Sequence, residues 1–258
     1  MTTSAFKLDH TVTLSLNEAG RGRPVLVLHG GGGPMTVASI ADHLAATMHT
    51  IVPIHPGWNG TARPEGLTTI AQLASLYLQY LEENGLRDVL VIGSSLGGWL
   101  GCEMALQDQA GLITGLILLD AVGIAVADEP IRDFFALDAR GVAEYAWHDS
   151  NRFYVDPASL SPEQAAAQRA NMATMRIMAG DPYMHDPALL KKLTNIRLPV
   201  LLIWGESDRI VTPAYGAAFA AAFENSRLEV VRQAGHLPQI EQPAATFALI
   251  DQYVAARP

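Results

Sequence analysis

The stretch Val89-Leu90-Val91-Ile92-Gly93-Ser94-Ser95-Leu96-Gly97-Gly98-Trp99 constrains this chain more than any other. Residues 89–92 are apolar and rich in β-branching, which reads as a buried strand. Gly93-Ser94-Ser95-Leu96-Gly97 then takes the form G-x-S-x-G. Beyond it, Trp99, Leu100, Cys102, Ala105 and Leu106 fall at spacings that face a core from a helix. Strand, tight turn and helix are the setting in which this pentapeptide lifts a serine clear of a sheet edge. The expected cause is steric. Side chains at 93 and 97 would collide with the neighbouring strand and helix, and the turn forces Ser95 into a strained backbone conformation. The N–H of Leu96, at the helix start, is then aimed at the same space.

The rest of the chain repeats the strand-then-helix rhythm. Residues 6–8 and 11–16 alternate apolar and polar around Asp9-His10 and predict an antiparallel hairpin at a sheet edge. Strands are predicted at 25–28, 50–54, 89–92, 113–119, 199–204 and 228–231. Helices are predicted at 36–48, at 67–84 with Gly85 closing it, at 214–223 and at 243–254. Between 123 and 195 the pattern is helical, with aromatic, Met and charged residues mixed and no strong strand. The predicted class is α/β: a mostly parallel sheet flanked by helices, with a helical cap inserted after the sixth strand. The core is assigned to 1–122 and 196–258 and the cap to 123–195.

In such sheets ligands bind beyond the carboxyl ends of the strands, so residues just after strands matter most. A serine hydroxyl is a weak nucleophile until a base takes its proton, and that base is usually a histidine oriented by a carboxylate. Ser95, Asp208 in Gly205-Glu206-Ser207-Asp208 and His236 in Gly235-His236-Leu237 all follow strand candidates. Asp120 also ends a strand and stands as a rival acid. The oxyanion formed on attack needs two preorganised donors, and losing one costs roughly 100- to 1000-fold in rate. Leu96 N–H is one; the Gly30-Gly31-Gly32-Gly33 turn supplies the other, with Gly31 favoured and Gly32 next. His29 reads as structural within that turn. His55 and His148 read either as pocket lining or as packing, Cys102 as packing and Glu206 as solvated.

Composition narrows the function classes. With 49% hydrophobic and 17% charged residues, 258 residues fill one large core. A net charge of -9 excludes nucleic acid and anionic membrane as partners, since either needs a basic face. Cys102 is the only cysteine, so no intrachain disulfide and no cysteine-based zinc site are expected. The eight histidines include no H-x-x-x-H pair, and the glycine run lacks a following Lys-Ser/Thr. Neither a metal nor a cofactor is therefore expected. Residues 1–7 lack a secretory pattern and no apolar run approaches a membrane span, which predicts a cytoplasmic protein. The expected partner is a small-molecule hydrophobic substrate; the oligomeric state is left open, a homodimer included.

Four pieces together, His29-Gly30-Gly31-Gly32, Gly93-Ser94-Ser95-Leu96-Gly97-Gly98, Gly205-Glu206-Ser207-Asp208 and Gly235-His236, give a specific likeness. Over nearly its full length the chain resembles the α/β-hydrolase fold superfamily. Within it the chain looks most like the bacterial group of carboxylesterases and meta-cleavage-product C–C hydrolases. The resemblance implies a triad of Ser95, Asp208 and His236 with an oxyanion hole at Gly31 and Leu96. Two positions depart from the C–C hydrolases: Ser94 stands where they often have Asn, and Leu237 where they often have Trp. Arg169 and Arg176 are the candidates for their cap arginine. The reading is a serine hydrolase acting on an ester-like carbonyl of a small to medium hydrophobic substrate through an acyl-enzyme. The alternative is C–C bond hydrolysis of a vinylogous diketone. A non-catalytic ligand-binding protein is a third reading, and a lyase or cofactor-free oxygenase also fits the fold.

Overall fold

A computed structural model describes residues 2–8 and 12–256; the predicted Asp9-His10 turn, with Thr11, lies outside them. Eight strands form one sheet: β1 (Thr2–Lys7), β2 (Thr13–Ala19), β3 (Pro24–Leu28), β4 (His49–Ile54), β5 (Val89–Ser94), β6 (Ile113–Leu119), β7 (Val200–Gly205) and β8 (Ser226–Val231). Their order is β1-β2-β4-β3-β5-β6-β7-β8. The pairs β1–β2 and β2–β4 are antiparallel and all others parallel.

The central strands are buried on both faces, which is why their sequences are continuous apolar runs. Leu26, Leu28, Val91, Leu116, Leu118, Leu202 and Trp204 join the core on one face. Val25, Val27, Leu90, Ile92, Ile117, Leu119, Leu201 and Ile203 fill the other. On the first face lie α2 (Ile70–Glu83), α3 (Leu96–Gln107) and α8 (Pro213–Ala221); on the second, α1 (Ala38–Leu44) and α10 (Pro243–Ala255).

Helix ends differ from the predicted bounds for local reasons. The 36–48 pattern shortens to α1 because Val37 leaves helical geometry at φ -121°, after a 3-10 turn over Pro34–Thr36. The 67–84 pattern begins at Ile70 because Thr69 caps the helix: its hydroxyl accepts from Gln72 N–H, and the Gln72 side chain answers to the Thr69 N–H.

Residues 123–195, between β6 and β7, carry α4 (Ala139–Ala146), α5 (Ser150–Phe153), α6 (Pro162–Ala179) and α7 (Leu189–Lys192), and no named strand. This insertion is tied down at both ends of its span across the sheet edge. On α6, Asn171 accepts from the Asn59 N–H at 2.7 Å and donates to the Asn59 side chain at 3.1 Å, and Thr174 donates to the Gly57 carbonyl at 3.0 Å. At the end of α4, the carbonyls of Tyr145 and Ala146 accept from the N–H groups of Arg209 (3.1 Å) and His236 (2.7 Å). Among the described residues no helix is long and apolar enough to cross a membrane.

Candidate active site

The turn between β5 and α3 has the geometry its residues dictate. Ser95 sits at φ 55° and ψ -116°, a region that side chains disfavour. Its neighbours over-determine it. Ser95 N–H donates to the Leu119 carbonyl at 2.8 Å, and the Ser95 carbonyl accepts from Gly98 N–H at 2.9 Å. A Cβ on Gly93 would strike the Gly97 carbonyl, and one on Gly97 would strike the Leu28 carbonyl. Helix and strand thus meet at backbone distance, and Ser95 is left as the protruding side chain.

Two loops from elsewhere in the chain reach that serine. His236 Nε2 lies 2.9 Å from Ser95 Oγ, and His236 Nδ1 lies 2.8 Å from Asp208 Oδ2. Asp208 Oδ1 accepts from the N–H groups of Ile210 (2.8 Å) and Val211 (3.2 Å), so both oxygens of the buried carboxylate are partnered. The three residues expected from sequence therefore stand in one hydrogen-bonded line. Asp120, the rival acid, stands beside this line rather than in it. It is completely buried, accepts from Gly205 N–H at 2.8 Å, and makes no bond to His236. Burial, and next the nearby Asp208 charge, hold its carboxyl well above the usual carboxylate range. Asp120, Asp208 and His236 offer atoms within 4.8 Å of one another, the spacing of a metal cluster. Both nitrogens of His236 and both oxygens of Asp208 are already engaged in the bonds just given.

The glycine turn is anchored from below by a network of neutral buried groups. His29 Nδ1 bonds the Gly30 carbonyl at 2.7 Å, and His29 Nε2 accepts from His55 N–H at 3.1 Å. His55 Nε2 bonds the His29 carbonyl at 3.0 Å, which leaves Nδ1 to accept from the Tyr77 hydroxyl at 2.6 Å. Trp58 Nε1 donates to the Gly31 carbonyl at 3.1 Å. Burial lowers the His29 pKa to about 4 and pushes His55 well below its ordinary range. His29 is thus structural, as expected, whereas His55 sits behind the turn rather than in the pocket. His148 is exposed and bonds Ser207 Oγ at 2.8 Å in a shallow surface depression. Cys102 is buried, and Ser94 is buried against Gln239.

Ser95 and His236 open into a chamber of about 310 Å³ whose lining includes Gly31, Phe134, Val142, Trp147, Met175 and Leu237. A second space of about 400 Å³, beneath α4 and α6, shares Gly31, Gly32, Val142 and Met175 with it. Met175 covers the glycine turn; a Cβ on Gly31 would stand 2.5 Å from its sulfur. Arg169 and Arg176 line neither space. Both are exposed, and Arg176 stacks on the Phe135 ring at 4.5 Å.

Sequence reasoning missed Glu241 as an organiser of the site. Glu241 accepts from Gly235 N–H at 2.6 Å and from the N–H groups of His148 and Asp149 at 3.1 Å each. It joins the His236 loop to the insertion. Its position, five residues after His236 on the short α9 (Pro238–Glu241), was the only available signal.

Known proteins resemble this chain over almost all of it. A 2-hydroxy-6-oxo-2,4-heptadienoate hydrolase of Pseudomonas putida is 27% identical, the match covering 95% of this chain and 94% of that one. A 2-hydroxy-6-oxo-6-(2'-aminophenyl)hexa-2,4-dienoic acid hydrolase of Metapseudomonas resinovorans is 25% identical over 88% of this chain and 82% of its own. Among solved structures, a thermophilic esterase from Thermogutta terrifontis superposes with a TM-score of 0.75 at 21% identity, covering 99% of each chain. A meta-cleavage product hydrolase from Pseudomonas fluorescens superposes with a TM-score of 0.76 at 17% identity and 95% coverage of each. Residues 25–249 match the model of the Alpha/beta hydrolase family, and with its sheet, its turn at Ser95 and its helical insertion this chain belongs to that family.

Proposed function

We propose that this hydrolase breaks the carbon–carbon bond beside a ketone carbonyl, in a vinylogous diketone, with Ser95 as nucleophile. The observation that carries the serine chemistry is the unbroken line Ser95–His236–Asp208 at the mouth of a mostly apolar chamber. His236 Nε2 takes the Ser95 proton as Oγ bonds to the carbonyl carbon. Asp208 holds the tautomer with the proton on Nδ1 and stabilises the imidazolium that forms. The N–H groups of Gly31 and Leu96 hold the oxyanion. When the tetrahedral intermediate collapses, the bond to the departing carbon breaks. Its electron pair passes into the conjugated carbonyl, and His236 returns the proton. Water, deprotonated by the same His236, then releases the acyl group as a carboxylic acid. A dienol substrate must ketonise before attack, and His236 is the base placed to move that proton. The names of the two dienoate-type hydrolases support the carbon–carbon reading. Residues 123–195 act as the cap of the chamber.

Ester hydrolysis by the same steps, with an alkoxide departing, is the second reading. The chamber lining favours it: Leu237 is aliphatic, Ser94 is turned away into the core, and neither cap arginine reaches the pocket. The two are separated by measuring kcat/KM for a vinylogous-diketone ring-fission product and for p-nitrophenyl butyrate. Ser95→Ala should lower turnover by about 10⁴-fold or more. If wild type and Ser95→Ala behave alike on both substrates, the serine chemistry is wrong.

A further inference from the structure

We infer that the acyl half of the substrate, the part retained on Ser95, is uncharged, so that the chain turns over carbonyl compounds with a neutral acyl group and discriminates against those whose acyl group ends in a carboxylate. The inference rests on the proposed serine chemistry and adds the charge class of the acyl group. Among the residues lining the two connected spaces there is no Lys or Arg, and the one formal negative charge is Asp138, at the outer space. Arg132, Arg176 and Arg209, each next in sequence to a lining residue, are engaged elsewhere: Arg132 lies over the Tyr145 ring at 4.3 Å, Arg176 over Phe135, and Arg209 donates to the Trp147 carbonyl at 3.3 Å. A carboxylate drawn into such a space exchanges water for a lining of mostly methyl, thioether and ring atoms, with a few neutral polar groups and no Lys or Arg countercharge, which is unfavourable. A neutral ketone or ester loses little water and gains apolar contact.

The test is a matched pair that differs only in one terminal group: p-nitrophenyl butyrate and mono-p-nitrophenyl succinate. The neutral ester should have at least about tenfold the kcat/KM of the anionic one. Ile131→Arg, which sets a guanidinium at the inner lining, should narrow that ratio by favouring the succinate. A ratio near one in the wild type, or a preference for the succinate, overturns the inference while leaving Ser95-dependent hydrolysis intact. Absence of Ser95-dependent turnover of either ester overturns this inference, and its absence with the ring-fission product as well overturns the serine chemistry.

A separate observation concerns Asp120. One of its oxygens accepts from Gly205 N–H, and the other, Oδ2, is buried with no hydrogen-bond partner in the geometry, close to Asp208. Two carboxylates this close in a dry interior do not both ionise. Asp208 has three donors, His236 Nδ1 and the N–H groups of Ile210 and Val211, whereas Asp120 has one. The geometry points to Asp120 as a positioning residue held as a neutral acid, its Oδ2 proton donated to the Asp208 carboxylate. The other titratable groups facing it are His236 and Glu241; the latter is occupied by backbone N–H groups. The acid arm then carries one negative charge on two carboxyl groups, with Asp208 oriented from both sides.

Asp120→Asn keeps both functions, since the amide oxygen accepts from Gly205 and the amide N–H donates to Asp208. It should retain kcat within about tenfold and leave the acid limb of the pH–rate profile where it is. Asp120→Leu removes the donor and should lower kcat with KM little changed. Were Asp120 ionised, Asp120→Asn would delete a charge beside His236 and move the acid limb downward; that shift would overturn the assignment. An unshifted limb with full kcat in Asp120→Leu would overturn the positioning role. Thermal melts of each variant, read alongside, separate loss of fold from loss of orientation.

Discussion

Single residues set the pH range in which the site exists. His29 and His55 are held neutral beneath the glycine turn, each ring nitrogen fixed by a partner. In the unfolded chain a histidine binds its proton near pH 6.5; in the fold His29 resists until about 4, and His55 is also lowered. Between those values the unfolded state binds more protons, so stability is complete above about 6.5 and is lost as pH falls toward 4. For His29 alone the loss amounts to about 3 kcal/mol across the window. Urea unfolding at pH 7.5, 6 and 5 should give a falling midpoint; equal midpoints would mean that these rings are protonated in the fold. The consequence is local before it is global, because this network carries the backbone that lines the pocket at Gly30 and Gly31.

At the level of elements, the insertion is fastened by α6 to the turn that follows β4. Asn171→Ala removes two hydrogen bonds to Asn59 and leaves a part-buried N–H without its partner, which should cost about 1–3 kcal/mol. Limited proteolysis should then cut within 123–195 earlier than in the wild type, before the sheet is touched; an unchanged cleavage pattern would argue against this tether. The elements themselves were largely legible. Strands β3, β5, β6 and β7 announce themselves as apolar β-branched runs because both their faces are covered. The turn at Ser95 was legible because glycines at 93 and 97 have one steric explanation. Helix bounds were less so, since Thr69 acts through a side-chain cap and Val37 through backbone geometry, neither of which hydrophobic period encodes. Tyr77 and Asn171 were not legible at all, and Glu241 only by its place five residues after His236. Each works through a partner 22 to 112 positions away, a relation that only folding creates. Of the readings left open for His148, pocket lining does not hold: it follows α4 closely in sequence but turns outward to Ser207.

Across the whole molecule, the insertion and the sheet share hydrogen bonds at the site itself. The carbonyl of Ala146 receives the N–H of His236, that of Tyr145 receives the N–H of Arg209 beside Asp208, and Glu241 bridges to His148 and Asp149. The two parts should therefore unfold together, and calorimetry should record one transition with equal calorimetric and van't Hoff enthalpies. Two resolved transitions would mean that the insertion is an independent lid.

Those shared bonds also limit how the molecule can be re-engineered. Transplanting residues 123–195 from a cousin with a different appetite, the obvious way to redirect such a hydrolase, would risk displacing the two backbone carbonyls on which the His236 and Asp208 loops hang. A chimera that keeps 143–149 native and exchanges only what lies beyond should preserve the chemistry while changing the diet.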